Sequence, residues 1–94
     1  MKNQRHFGIL DGTSQREAER IGTLINDLDR IVQLLNCDIE TEEEHAGVSD
    51  RSNAAYPILA RTLAARRDNL RETMAALERR LAAIKTPLGN AVAA

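Results

Sequence analysis

Apolar residues in the first half of the chain recur at alternating steps of three and four residues. This spacing is that of heptad positions a and d, and it continues for about three heptads. Because about 3.6 residues complete one turn of an α-helix, all of these side chains share one face. The pattern predicts a long amphipathic helix over residues 14–46, with an apolar face formed by Ala18, Ile21, Ile25, Leu28, Val32, Leu35 and Ile39.

A second apolar stripe of similar length occupies the other half of the chain and predicts a helix over residues 54–86. Arg67 interrupts this stripe at an a position. A charged side chain there can extend to solvent, pair with a carboxylate such as Asp29, or fix the register of the helices, and we favour the register role. The stripe comprises Tyr56, Ala60, Leu63, Arg67, Leu70, Met74, Leu77, Leu81, Ile84 and Leu88.

The residues that flank the two stripes indicate where the helices begin and end. Ser14 and Glu17 have the spacing of a capping box, in which each side chain bonds to the other residue's amide. Gly47 can adopt the left-handed conformation that ends many helices. The polar segment 47–53 then connects the helices, and Asn53 is expected to cap the second one.

The two predicted helices are joined by a short connector, which favours an all-α antiparallel helical hairpin. In such a hairpin the numbers of facing residues have a constant sum, and this register places Ile39 opposite Leu59 and Val32 opposite Arg67. We expect a single domain over residues 1–94. Its lead-in, residues 1–13, is predicted to pack on the end of the second helix, and residues 87–94 are predicted to form a flexible tail.

The apolar surface of the hairpin is wider than one helix–helix contact requires. Leu24 and Ile31 occupy heptad position g, Leu34 occupies position c, and Leu59 lies beside the second stripe. Such widened faces are typical of helices in bundles. We therefore predict that these four residues form an interface, most simply in a homodimer that makes a four-helix bundle.

The composition limits the chemistry that the chain can perform. The net charge is −1, with one Cys and two aromatic residues among 94, so neither a disulfide within the chain nor a stacking platform for bases is expected. No apolar run is long enough to span a bilayer or to form a secretory signal. We expect a cytoplasmic protein without a membrane partner, a cofactor or catalytic residues.

An acidic segment precedes the connector, because residues 38–50 contain six carboxylates and no Lys or Arg. Glu42 precedes His45 by three residues, a spacing found among metal ligands in helical bundles. The second helix supplies no facing carboxylate, so we predict a solvated acidic tip rather than a metal site. This tip is a candidate surface for a cationic partner through Glu40, Glu43 and Glu44.

The second helix is basic, and this suggests a second possible function. A basic face can follow the phosphates of a nucleic acid, and the candidate residues are Arg61, Arg66, Arg71, Arg79 and Arg80. Acidic residues occur among these arginines, and no aromatic residues alternate with them. We therefore favour a non-enzymatic protein–protein interaction module, such as an adaptor, chaperone or regulator, over a dimeric RNA- or DNA-binding bundle.

Overall fold

The computed structural model describes residues 12–86 and shows, within them, two α-helices and no β-strand. α1 spans Gly12–Ala46, α2 spans Ile58–Lys85, and the two helices pack against each other as a hairpin. The predicted all-α helical hairpin is confirmed. The lead-in residues 1–11 and the tail residues 87–94 lie outside the described residues, and homodimerisation stays a prediction.

α1 begins two residues before the predicted start, so Ser14 lies within the helix rather than at its cap. A difference of this size is common at helix ends. The other end agrees with the prediction, because Gly47 has a φ of +71° and follows the last helical residue. The Gly47 and Val48 amides both donate to the carbonyl of Glu43, at 2.8 and 3.2 Å, which closes the helix in a Schellman-type turn.

α2 begins at Ile58, four residues later than predicted, and the connector is correspondingly longer. A helix capped by Asn53 would need the amide of residue 57 to donate to the Asn53 carbonyl, and Pro57 has no amide hydrogen. The Tyr56 amide donates to that carbonyl instead, at 3.0 Å, while the Asn53 side chain accepts from the Ala55 amide. Proline also disfavours helical geometry at the residue before it.

The best-packed part of the interface lies next to the connector. Ile39, Tyr56, Ala60 and Ala64 form a cluster there, with Ala60 fully inaccessible and Ala64 1% exposed. These two alanines are four residues apart and so lie on one side of α2. Because side-chain volume sets the separation of packed helices, two alanines at the contact permit a close approach.

The predicted pairing of Ile39 with Leu59 was wrong. Leu59 is 50% exposed, and the small residue that follows it, Ala60, lies in the buried cluster with Ile39. Consecutive helical residues point about 100° apart, so burial of Ala60 turns Leu59 toward the edge of the interface. The Tyr56 ring, only 3% exposed, occupies the remaining apolar space next to Ile39.

Polar contacts between the two halves of the hairpin support the same arrangement along its length. Near the middle, Arg67 donates from a terminal guanidinium nitrogen to the side-chain oxygen of Asn36, at 3.1 Å. Its Nε also donates to the neighbouring Asp68, so the partners of Arg67 are Asn36 and Asp68, and not Asp29, the carboxylate named as one alternative. At the open end, Nε of Arg80 donates to Glu17 at 3.0 Å.

Candidate functional site

Large apolar side chains are exposed along one side of α1. The exposed fractions are 44% for Leu24, 41% for Ile31 and 65% for Leu34. Leu24 and Ile31 are seven residues apart and therefore lie above one another on the helix, and Leu34 lies one turn beyond Ile31. The structure thus brings together three of the four residues that the sequence predicted as an interface.

A shallow groove of about 500 Å³ lies on this side of α1, and its lining is mostly apolar. Ile31 and Leu34 provide its large apolar side chains, and the exposed thiol of Cys37 lies beside them. The polar part of the lining includes Asp27 and Arg30, which form an ion pair at 2.5 Å. All residues that line the groove belong to α1, so it lies on the surface of that helix rather than between the two helices.

The fourth predicted interface residue, Leu59, lies at the start of α2, beside Ile58, which is 80% exposed. The sequence pattern did not indicate Ile58, because a helix over residues 54–86 places this residue outside the apolar stripe. Pro57 indicates the later start of α2, because proline disfavours helical geometry at the residue before it.

The acidic tip contains a specific contact that the sequence did not predict. The Tyr56 hydroxyl donates a hydrogen bond to a carboxylate oxygen of Glu43 at 2.7 Å, and this bond raises the pKa of Tyr56 above 10.0. The Arg61 guanidinium lies over the Tyr56 ring, 5.2 Å from its centre, in cation–π geometry. Arg61 also donates to the carbonyl of Arg51 at 2.8 Å, which ties the connector to α2.

Glu43 is therefore a structural residue of the hairpin end, whereas Glu40 and Glu44 are exposed. The three glutamates line a surface groove of about 390 Å³ together with Gly47, Val48 and Ser49. Asp50 lies outside this groove and accepts hydrogen bonds from both the amide and the hydroxyl of Ser52, which lower the pKa of Asp50. No group of three His, Cys, Asp or Glu side chains in residues 12–86 is arranged to hold a metal ion.

The five arginines considered for nucleic-acid binding do not form one free basic surface. Arg61 contacts the connector and the Tyr56 ring, Arg71 lies 3.9 Å from Asp68, and Arg80 pairs with Glu17 across the hairpin. Within the described part of the chain, Arg66 and Arg79 form no ion pair. Since three of the five guanidinium groups already have partners, nothing in this arrangement favours nucleic acid over a protein partner.

Neither helix of residues 12–86 combines the length and apolar character that crossing a membrane requires. Comparisons of the chain with models of protein families, with curated proteins and with solved structures give no significant match. Its function is therefore inferred from the geometry of the hairpin.

Proposed function

We propose that this chain is a non-enzymatic helical interaction module that binds another helical surface along the apolar side of α1. The observation that carries this proposal is the exposure of Leu24, Ile31 and Leu34 on one side of a helix. Exposed apolar groups that occur together on a folded protein typically mark a site where another protein binds. The hairpin uses the adjacent side of α1, which carries Val32, Leu35 and Ile39, for its own packing.

The spacing of these side chains fits recognition of one helix by another. Apolar anchors that recur after seven residues and then after three are typical of helix-in-groove and helix–helix contacts. A partner helix that follows α1 would cover Leu24, Ile31 and Leu34 together, and charged residues would remain at the rim. This division into an apolar centre and a polar rim is that of ordinary protein interfaces.

The distribution of titratable groups supports a binding role over a catalytic one. No Asp, Glu, His, Cys, Lys or Arg side chain is buried among residues 12–86, and the grooves on α1 and at the acidic tip are open to solvent. A catalytic acid, base or nucleophile usually lies in a cleft that shifts its pKa toward the working pH. Among the described residues, the pKa values that are shifted are those of Asp50 and Tyr56, and both shifts are explained by hydrogen bonds that hold the connector.

The proposal is tested by placing charges within the apolar group. A tagged chain with Ile31→Lys and Leu34→Lys should lose proteins that the wild type retains from a cell extract, untagged copies of the chain included. The matched control is Ala76→Lys with Ala83→Lys, which adds the same charge at exposed positions of α2. Circular dichroism confirms that each variant is helical. Retention of the same proteins by both variants and the wild type would refute the proposal.

A further inference from the structure

We infer that the partner of the α1 surface is a second copy of this chain, bound antiparallel along α1. This inference rests on the proposed docking role of α1 and adds the identity and orientation of the occupant. It starts from the charged residues at the two ends of the apolar group, which have the same helical spacing as the apolar residues themselves.

Eight residues of α1 recur at steps of three or four and lie within an arc of about 80° on the helix surface. We call this set the α1 stripe. In chain order it begins with two arginines, continues through apolar residues with one aspartate among them, and ends with two carboxylates. Its members are Arg16, Arg20, Leu24, Asp27, Ile31, Leu34, Asp38 and Glu42.

The α1 stripe is complementary to itself when one copy is reversed. Asp29 is the central residue of Gly12–Ala46, and the members of the stripe lie symmetrically about it. Leu24 and Leu34 are each five residues from the centre, so a two-fold axis there places Leu24 of one copy beside Leu34 of the other. Contacts of this kind are made twice in a two-fold dimer.

The charged ends of the stripe obey the same symmetry. Arg20 and Asp38 are each nine residues from Asp29, while Arg16 and Glu42 are each thirteen residues from it. The reversed copy therefore brings each arginine to the level of a carboxylate. A parallel dimer would place every residue beside its own copy, arginine beside arginine and aspartate beside aspartate, which is unfavourable.

These four charged groups have no ion pair within the described hairpin, so they are available to a second copy. Other charged residues of α1 do have ion-pair partners within the hairpin: Glu17 pairs with Arg80, and Asp27 pairs with Arg30. At the centre of the dimer, Ile31 lies at the level of the partner copy's Asp27, whose charge is already balanced by Arg30. The four charged groups at the ends of the stripe therefore have no competing ion pair within the described hairpin, and Arg16 makes only a 3.5 Å contact with the Thr13 hydroxyl.

The net charge of the hairpin ends favours the same orientation. Residues 38–50 contain six carboxylates and no Lys or Arg. The described open end is basic, since its cations, Arg16, Arg20, Arg79, Arg80 and Lys85, outnumber its anions, Glu17, Glu19 and Glu78. An antiparallel dimer brings each acidic tip toward the other copy's basic end, along a contact of about 39 Å from residue 16 to residue 42.

Charge reversal tests this arrangement directly. Light scattering of the wild type should give twice the single-chain mass of 10.4 kDa. Arg20→Glu and Asp38→Arg should each weaken the dimer at least tenfold, because each places like charges together in both symmetric contacts. An equimolar mixture of the two variants should recover the doubled mass, since the introduced glutamate then lies opposite an introduced arginine. Asp29→Arg and Arg79→Glu are matched controls away from the stripe and should leave the mass unchanged.

The orientation is measured with spin labels on a single cysteine. Ala46→Cys in a Cys37→Ser background places one label at the tip end of α1, where residue 46 is exposed. The antiparallel dimer predicts a label separation of about 50 Å, since each label lies 17 residues from the axis. A separation below about 30 Å would indicate that the tips lie together, and it would overturn the inference.

Failure of the antiparallel dimer can be distinguished experimentally from failure of the proposed function. A wild-type mass of one chain at every concentration overturns self-association, yet the enrichment experiment with Ile31→Lys and Leu34→Lys still decides whether α1 binds a different protein. A dimer that survives both charge reversals overturns the proposed register. Recovery in the mixture, together with the long label separation, supports the inference.

Discussion

Substitution of Ala60 tests the packing of the hairpin most sharply, because this residue has no accessible surface at the α1–α2 contact. Ala60→Leu adds three heavy atoms to a cluster that already contains Ile39, Tyr56 and Ala64. Overpacking of this kind costs about 1–3 kcal/mol. A domain of this size loses about 4–8 °C in melting temperature for each kcal/mol, so we expect a decrease of about 4–24 °C.

Ala76→Leu is the matched control for this substitution, because Ala76 is an exposed residue of α2. Alanine and leucine are both strong helix formers, so the two variants differ in packing rather than in helix propensity. The control should change the unfolding free energy by no more than about 0.5 kcal/mol. Thermal and urea unfolding followed by circular dichroism, at one protein concentration, measure both. Equal stability of the two variants would show that Ala60 does not hold the helices at close approach.

Three further predictions concern the connector and the middle of the hairpin. Gly47→Ala should lower the free energy of unfolding in urea by about 1–2 kcal/mol, because φ is +71° at this residue. Gly22→Ala within α1 is the control: an added Cβ meets no atom within 4 Å there, so it should be neutral or stabilising by up to about 1 kcal/mol. Equal effects of the two substitutions would contradict the strained backbone at Gly47. The raised pKa of Tyr56 means that the folded protein holds the phenol proton more tightly than the unfolded chain does. The stability that this hydroxyl contributes is therefore complete below pH 10.0 and is lost as pH rises through the folded pKa. Tyr56→Phe should flatten this alkaline loss of stability, and titration of the absorbance of the single tyrosine should show the raised pKa directly. Arg67→Leu should raise the melting temperature, because a leucine at this a position adds apolar burial of about 1.5–3 kcal/mol and removes the cost of desolvating a guanidinium. Together these exceed the roughly 1.5–3 kcal/mol of the charged hydrogen bond to Asn36. A lower melting temperature would show that this bond dominates.

The heptad pattern was sufficient to predict the fold because the energetics of a helical hairpin follow helical periodicity. Ala18, Ile21, Val32, Leu35 and Ile39 are the buried residues of α1, and all belong to the predicted stripe. The C-terminal glycine of α1 was also predictable, because a left-handed residue directly after a helix strongly favours glycine. These properties depend on the local sequence alone.

The partner of Ile39 was not predictable in this way, because it depends on how closely the two helices approach, whereas the start of α2 has a local cause at Pro57. Asn53 is a competent helix cap, but the missing amide of Pro57 removes the hydrogen bond that a helix beginning there would need. Leu59 has the more apolar side chain, yet Ala60 and Ala64 lie at the contact, because close approach of the helices outweighs burial of one leucine. Periodicity describes which residues share a face and leaves open how closely two faces approach.

The apolar residues of the candidate interface were identified correctly by position, and their exposure has a physical cause in the same close packing. Helices that meet through Ala60 and Ala64 enclose a narrow interior, which cannot also cover residues at the edge of the apolar face. Leu24 and Ile31 lie at that edge, and Leu34 lies further around α1. A partner that covers Leu24, Ile31 and Leu34 therefore binds beside the hairpin contact and does not displace α2.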